Sequence, residues 1–278
     1  MKNFTLQAAL LLCLSVSCGK AQPPLEPIAP EEKADSVTVC LILSNPSGAE
    51  VKRTDIFVYE QEGTGALCSH KELHDLPDTL KIRTTPGKKT YVGICNFPFK
   101  FNLQGLQKYD SMELLTINFQ DDDPSVPLLS GQSGDEGIIA LTPLLCSVTL
   151  SSVSNALDGY ELLENPRVWL SGINPFAEVL RSEEFRLKEE LENIEKTQLP
   201  NDIGFYTQYP GTTLYCYPND TPETILGTER TVFNFECEIN GETCRFTKTL
   251  PPMPRGSAAK VDITVYSGTE SLINVLRL

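Results

Sequence analysis

The chain of 278 residues is 40% hydrophobic and carries a formal net charge of −14 at pH 7. This acidic balance argues against a nucleic-acid partner, because a protein that neutralises phosphates needs a basic face. The chain that remains after an N-terminal leader is long enough for two ordinary domains.

Residues 1–17 are predicted to be a lipoprotein signal peptide. An early lysine precedes an apolar run from Phe4 to Val16, which is shorter than the roughly 20 residues of a membrane-spanning helix. The run ends in Ser-Cys-Gly around Cys18, which resembles a bacterial lipobox, although Ser15 stands where an aliphatic residue is expected. We expect Cys18 to be the lipidated N-terminus; the alternative is an ordinary cleaved signal with an incidental cysteine.

Residues 18–35 are predicted to be a tether. They contain four prolines and no periodic apolar pattern, a composition typical of an extended, semi-rigid spacer. We expect this segment to hold a folded body away from a membrane. The lipid would attach the protein to that membrane.

From Ser36 onward, short runs with a period of two dominate the sequence. In chain order they are residues 37–43, 55–60, two strands around Pro86-Gly87, a pair near Pro143, and residues 167–173, 212–218, 233–246 and 259–267. Many short strands with Gly, Pro and Asn turns favour β-sandwiches over an α/β fold. A break at residues 142–145 predicts two sandwich domains, 36–143 and 144–278.

Two segments depart from the period of two and are predicted to be helical. Phe101–Leu115 could contain a short helix. Ala177–Lys196 places four apolar residues on one helical stripe among charges, which predicts a surface helix on the second sandwich.

Beyond Cys18 the sequence contains seven cysteines, and because this number is odd at least one of them is unpaired. Four lie in apolar, strand-like runs and are predicted to pack as small buried hydrophobes. They are Cys40, Cys95, Cys146 and Cys216.

The segment FNFECEINGETCRF predicts a β-hairpin, because Asn240-Gly241 suits the two positive-φ positions of a type I′ turn. Pairing about this turn places Cys237 opposite Cys244 on the buried face, and Glu236 opposite Arg245. Opposed residues are close enough for a disulfide. The sequence leaves open whether Cys237 and Cys244 form one.

Motifs for metal binding or catalysis are weak. Both histidines, His70 and His74, lie in HKELH, but the glutamate is one position late for a zinc-protease motif and no third histidine exists. The acidic run at residues 121–123 lacks the spacing of a calcium-binding loop and is predicted to be solvated. We predict no metal site, no cofactor and no enzymatic activity.

Aromatic residues cluster between Gly204 and Asp220. Such a set could stack on sugars or anchor a protein partner. A half-buried strand has the same alternation, so the pattern allows both interpretations.

The order of these segments resembles the fimbrillin family, the lipoprotein-derived subunits of type V pili. The resemblance rests on SVTVCLILSNP, DIFVYE, TTPGKKTYVGICNFP, PLLSGQ and IIALTPLLCSVTLSSV, and in the second half on LYCYPND and INGETCRFTKTLPPMPRGSAAKVDITV. One departure is RGSAAKVDITV, where family members usually carry Arg-Asn and an aromatic residue. The resemblance implies two tandem transthyretin-like β-sandwich domains, with the surface helix in the second.

In shaft subunits of this family, a protease cuts after a basic residue in the loop behind the first strand. A strand from a neighbouring subunit then fills the vacated groove, which is a form of β-augmentation. The resemblance makes Lys52 and Arg53 possible processing residues here. They stand immediately before the next predicted strand in the sequence, and only 12 residues follow Tyr266. Both features favour a subunit that keeps its first strand.

The resemblance therefore implies a non-enzymatic fimbrial anchor or minor subunit at the base of a fimbrium. It would be lipid-anchored in the outer membrane, exposed at the cell surface, and joined to other fimbrial subunits by β-strand addition. Two alternatives stay open. One is a polymerising shaft or tip fimbrillin cleaved after Arg53, and the other is a surface lipoprotein that binds a glycan or another host-surface ligand.

Overall fold

A computed structural model describes residues 36–159, 161–180, 192–209, 211–219 and 230–278. The described part of the N-terminal half contains nine strands: β1 Val37–Ser44, β2 Thr54–Glu60, β3 Leu67–Leu73, β4 Thr79–Thr84, β5 Lys89–Cys95, β6 Thr116–Asn118, β7 Leu129–Ser133, β8 Ile138–Ala140 and β9 Thr142–Pro143. One short helix, α1 (Tyr109–Glu113), precedes β6, and a 3₁₀ turn (Phe119–Asp121) follows it.

In the described part of the C-terminal half, all of the regular secondary structure is β-strand. They are β10 Cys146–Asn155, β11 Glu164–Ile173, β12 Phe176–Glu178, β13 Glu192–Asn193, β14 Thr197–Gln198, β15 Tyr206–Gln208, β16 Thr213–Cys216, β17 Val232–Ile239, β18 Glu242–Thr249, β19 Ala258–Val265 and β20 Ser271–Arg277. The prediction of a mainly β protein is confirmed.

Two sheets form the N-terminal half, with strand orders β4-β1-β8 and β3-β2-β5-β7-β9. Between them lies an apolar core to which β1, β2, β4, β5, β7 and β8 all contribute buried side chains. β2 is buried on both faces, because Ile56 and Val58 point into this core while Phe57 and Tyr59 enter another. This explains why its sequence is a nearly continuous apolar run.

The second core covers the outer face of β2 and draws on both halves of the chain. It contains Phe57 and Tyr59 of β2 and Met112 of α1, together with Val179 and Tyr217 from beyond residue 143. The Tyr59 hydroxyl donates to the Leu106 carbonyl at 3.0 Å, and burial raises the pKa of Tyr59. The two halves therefore share buried apolar surface.

The C-terminal half has its own core between two further sheets. One sheet has the order β15-β10-β19-β20, with β16 also paired to β10, and the other has the order β13-β11-β17-β18, with β14 also paired to β11. The alternation of Val261, Ile263 and Val265 predicted for β19 is confirmed, since all three are buried. This core begins at Cys146, after the predicted boundary.

Backbone and side-chain bonds also connect the two halves. β6 pairs with β12 through Thr116–Asn118 and Phe176–Glu178. Arg255 donates to the Ser130 hydroxyl at 2.7 Å, to the Thr142 carbonyl at 3.1 Å and to the Val179 carbonyl at 3.3 Å. Residues 36–278 form one compact unit, and the domain boundary at Pro143 stays a prediction.

The two helix predictions have different outcomes. α1 lies within the predicted segment Phe101–Leu115. The predicted surface helix Ala177–Lys196 falls largely on residues 181–191, which lie outside the described residues, while its ends contain β12 and β13. At these ends strand pairing with β6 and β11 takes the place of helix.

The acidic loop at residues 121–123 is not fully solvated, which corrects the sequence prediction. Asp122 is buried, and its Oδ1 accepts the Leu128 N–H at 2.9 Å. Burial raises the pKa of Asp122 to about 6. Asp123 is exposed, and hydrogen bonds from Ser125 hold its pKa below the ordinary value.

We expect Asp122→Asn to stabilise the protein at pH 7.5 and to have little effect at pH 4. Because the folded-state pKa is raised, the folded protein holds a proton that the unfolded chain has lost, so wild-type stability falls as pH rises through the window from about 4 to 6. The gain at pH 7.5 has an upper value of about 3 kcal/mol. Urea unfolding at both pH values measures it.

The neighbouring Asp123→Asn is the matched control and should have the opposite sign. Its hydrogen bonds favour the charged carboxylate, so the substitution should lower stability at pH 7.5. A stability difference between wild type and Asp122→Asn that does not change with pH would contradict the assignment.

Candidate functional site

β1 occupies the middle of a three-stranded sheet. It pairs antiparallel with β4 over six residue pairs, from Val37↔Thr84 to Ile42↔Thr79, and parallel with β8 over three, from Ile42↔Ile138 to Ser44↔Ala140. Because β4 and β8 do not pair with each other, β1 alone joins them into a sheet.

The side chains of β1 divide between the core and solvent. Leu41 and Leu43 are buried, whereas Ile42 is exposed. Burying two leucines contributes roughly 3 to 6 kcal/mol relative to leaving them in water. β1 is therefore an integral part of the N-terminal core.

Cys40 lies on the outward face of β1 and is exposed, so the prediction that it packs as a buried hydrophobe is wrong. Alternation along the strand explains this, since Leu41 and Leu43 take the inward positions. The same prediction is confirmed for Cys95, Cys146 and Cys216, which are all buried.

One side of β1 is open at its N-terminal end. The Ile42 N–H bonds Gly137 on the β8 side, and the Leu43 N–H bonds Asp78 on the β4 side. By alternation, the backbone groups of Thr38 and Cys40 point to the β8 side; β8 does not pair with them, although Gly137, just before β8, lies beside the Cys40 carbonyl. Within the described ranges this is a short open edge, which we call the β1 edge.

β8 is held against β7 by a close approach at Gly131. A Cβ at this position would collide with the carbonyl oxygen of Ala140, so the residue must be glycine for the strands to lie this close. This contact fixes the strand that supports the C-terminal end of β1.

The loop that follows β1 is tied down by Asn96. Its side chain accepts the Lys52 N–H at 2.9 Å and donates to the Glu50 and Pro127 carbonyls at 2.8 and 3.0 Å. The Asn96 N–H bonds the Arg53 carbonyl at 2.9 Å. Asn96 has a φ of +59°, a conformation that asparagine tolerates better than most residues.

The Arg53 side chain is held in place from several directions. Its Nε donates to Asp55 Oδ2 at 3.0 Å, and its guanidinium donates to the Phe97 and Phe99 carbonyls at 2.7 and 2.6 Å. Only 22% of its side chain is exposed, compared with 61% for Lys52. A protease that recognises Arg53 would first have to release these bonds.

Asp55 connects Arg53 to one of the two histidines. Its buried carboxylate accepts from Arg53 Nε and lies 2.9 Å from His70 Nε2. His70 is in strand β3 and stacks on Phe57 at a centroid distance of 4.5 Å. The structure thus gives His70 a packing role beside Arg53.

The residues of HKELH do not form a helix, since His70 lies in β3 and His74 follows that strand. Across the described parts of the chain, no three His, Cys, Asp or Glu residues converge on a point that could hold a metal ion.

We expect Asp55→Asn to destabilise the protein by about 2 kcal/mol, because a charge-assisted hydrogen bond is lost and the largely buried Arg53 guanidinium loses its carboxylate. Urea unfolding measures the loss. Limited digestion with an arginine-specific protease should also become faster at Arg53.

Glu50→Gln is the control for Asp55→Asn. Glu50 pairs with Lys52 at 4.0 Å on the exposed surface, so its removal should cost less than about 0.5 kcal/mol. Equal effects of the two substitutions would contradict the role given to Asp55.

The hairpin register predicted around Asn240-Gly241 is confirmed. Cys237 lies opposite Cys244, and Glu236 lies opposite Arg245. Both thiols are free in this structure and both are buried, and burial raises the pKa of Cys237 to about 12. The disulfide stays a prediction.

We expect alkylating reagents to modify Cys40 at least about a hundredfold faster than Cys237 or Cys95 in the folded protein. Only the thiolate reacts, and burial keeps Cys237 and Cys95 protonated, with the pKa of Cys95 raised to about 11. Mass spectrometry of tryptic peptides after timed iodoacetamide treatment measures the order.

The same experiment in denaturant tests the disulfide. Free Cys237 and Cys244 should react as soon as the protein unfolds. Protection that persists until a reductant is added would identify a bond between them. Fast labelling of Cys237 in the folded protein would contradict its burial.

The aromatic segment between residues 204 and 219 is divided between core and surface. Tyr209 and Tyr217 are buried, whereas Phe205 is 79% exposed and Tyr206 is also exposed. The half-buried strand interpretation fits β16, in which buried and partly exposed residues alternate, while Phe205 and Tyr206 lie at the surface.

The sequence identified Lys52 and Arg53 as candidate processing residues. It did not identify Asp55 and Asn96, the two side chains that hold this loop. Asn96 belongs to a segment that the sequence did single out, ICNFP, yet its role depends on a loop more than 40 residues earlier. The predicted lipidation residue Cys18 lies outside the described residues.

No protein-family model matches the sequence, and no curated protein matches it. Solved structures do match. A candidate cell adhesion protein from Parabacteroides distasonis ATCC 8503 is 13% identical with a TM-score of 0.67, and the match covers 87% of this chain and 96% of that one.

Two proteins from Porphyromonas gingivalis have the same architecture. A fimbrilin (FimA) from strain W83 is 9% identical with a TM-score of 0.62, over 86% of this chain and 96% of that one. The tip fimbrial protein Mfa3, with a C-terminal truncation, is 10% identical with a TM-score of 0.57, over 87% and 99%. This chain therefore has the fold of fimbrillins, fimbrial tip proteins and candidate cell adhesion proteins.

Proposed function

We propose that this protein is a fimbrial anchor or minor subunit that keeps its first strand and carries no catalytic activity. The observation that carries the proposal is the position of β1 between β4 and β8, in a fold shared with fimbrial proteins. In this proposal the fold serves assembly, because backbone groups at its strand edges can form hydrogen bonds with other chains.

The surroundings of Arg53 support retention of β1. Cleavage after Arg53 would release a strand that pairs with β4 along six residues and buries two leucines. Arg53 itself is bonded to Asp55 and to two backbone carbonyls. A polymerising subunit would need this loop to be open to a protease, and here it is held closed.

Membrane attachment in this proposal is through lipid on Cys18, at the outer membrane and on the outer face of the cell. Among the described residues no helix is long and apolar enough to cross a membrane. The lipid and the proline-containing residues 18–35 would place the folded body at the base of a fimbrium.

The β1 edge is the place where we propose that another subunit adds a strand. No described strand pairs with the outward backbone groups of Thr38, and the exposed Val37 lies beside them, while the Cys40 carbonyl is next to Gly137. A strand added there would extend the sheet without displacing β1.

The first experiment is mass spectrometry of the mature N-terminus from membranes of the native host. We expect a lipidated peptide that begins at Cys18 and a chain that is continuous through Lys52 and Arg53. A mature chain that starts at Thr54 would overturn the anchor proposal in favour of a cleaved shaft or tip subunit. A Cys18→Ala variant is the control and should lose the lipid.

The second experiment tests the β1 edge by proline substitution. Thr38→Pro removes the N–H that points to the open side, while pairing with β4 uses the alternate residues and is kept. Thr38→Val keeps that N–H and is the matched control. Recovery of other fimbrial subunits with the tagged protein should fall at least about tenfold for Thr38→Pro alone; equal recovery would place the contact elsewhere.

A second candidate function is binding of a surface glycan by the C-terminal half. It is favoured by the exposure of Phe205 and Tyr206, since exposed aromatic rings can stack on sugars. Binding to immobilised glycans that is lost in a Phe205→Ala, Tyr206→Ala double variant would support it.

A further inference from the structure

β20 is an edge strand along its whole length. It pairs with β19 without a break in register, from Val265↔Ser271 to Ala259↔Arg277. On its other side, no described strand pairs with it. This side is available to another chain.

The hydrogen bonds to β19 fix which backbone groups of β20 point outward. The Tyr266 N–H bonds the Glu270 carbonyl, and the Leu278 N–H bonds the Ala258 carbonyl. In an antiparallel ladder these pairs alternate. The even-numbered residues of β20 therefore bond to β19, and Ser271, Ile273, Val275 and Arg277 direct their N–H and C=O groups outward.

Two of the four exposed side chains of β20 are leucines, and the other two are Asn274 and Arg277. Leu272, Leu276 and Leu278 are 47%, 63% and 65% exposed and lie on one face, with Asn274 between the first two. An exposed apolar edge strand of this kind invites pairing with another strand.

The other long edge strands in the described structure are protected by charges, as natural edges usually are. The exposed charged residues are Lys71 and Glu72 on β3, Lys81 and Arg83 on β4, and Glu242, Arg245 and Lys248 on β18. β20 carries one charge, Arg277 at its end, and has neither a proline nor a bulge. It is the long edge that the sequence leaves unprotected.

We propose that β20 pairs antiparallel with β20 of a second copy of this chain, about a two-fold axis at Asn274. In this register Ser271 faces Arg277 of the second copy and Ile273 faces its Val275, so the outward backbone groups bond in pairs. A two-fold interface of this kind uses the same patch on both copies.

The side chains support a second copy as the occupant, because the strand is complementary to itself. Leu272 lies opposite Leu276 of the other copy twice, at positions where cross-strand side chains approach most closely. Arg277 lies opposite a serine, so no like charges face each other despite the net charge of −14. A pairing about Asn274 also uses every residue of the strand.

Cross-linking of an Asn274→Cys variant tests the axis directly. The experiment uses the full chain in detergent with Cys40→Ser, which removes the one cysteine that is exposed among the described residues. At the axis the two Cα atoms are about 4.5 Å apart, within disulfide range. We expect mild oxidation to give a dimer linked through residue 274, identified by peptide mapping.

Leu114→Cys in the same background is the matched control. Leu114 is also an exposed leucine but lies beside α1, and the variant should remain uncross-linked. A dimer of Asn274→Cys linked through another position, or no dimer at all, would overturn the proposal.

Sedimentation of the otherwise unmodified full chain provides the second test. We expect a monomer–dimer equilibrium that shifts to monomer in a Leu272→Lys, Leu276→Lys double variant and is unchanged in Leu114→Lys. All three leucines are exposed, so the variants should unfold at the wild-type temperature. A wild-type monomer at every concentration, or a dimer in the double variant, would overturn the proposal. Neither measurement involves another fimbrial subunit, so the result is independent of the proposed function.

Discussion

The pairing of β1 with two strands that do not otherwise meet is the constraint on which the N-terminal sandwich depends. β4 and β8 are joined only through it, and its inward leucines fill the space between the sheets. Removing β1 would divide one sheet and open an apolar slot over Ile56 and Val58 of β2. A chain that keeps β1 presents strand edges at its surface, whereas a chain that loses it presents a slot.

The loop after β1 is held in place by hydrogen bonds from side chains on both sides of it. Arg53 and Asn96 bind backbone groups on both sides of the loop, and Asp55 neutralises the arginine from within the sheet. Buried charges are costly unless they are paired and hydrogen-bonded, and Arg53 and Asp55 bond each other. The same bonds that keep Arg53 in place limit access to the peptide bond that follows it.

The exposed sheet edges of this protein are of two kinds. Charged side chains on β3, β4 and β18 discourage strand addition, while β20 presents leucines and the β1 edge is short. The two halves also share a buried core, and β6, β12 and Arg255 connect them. The strands of the two halves therefore belong to one connected, packed unit.

The sequence by itself determined the mainly β class, the short helix and the hairpin register around Asn240-Gly241, because each depends on a local period or on a turn that residues close in the chain specify. It did not predict the exposure of Cys40 or the burial of Asp122, since neighbours in sequence cannot say which face of a strand or loop is covered. Only the tertiary structure decided that Arg53 is held by Asp55 and that β20 is an unprotected edge. Both depend on strands that are distant in the chain and are brought together by the packing of the sheets.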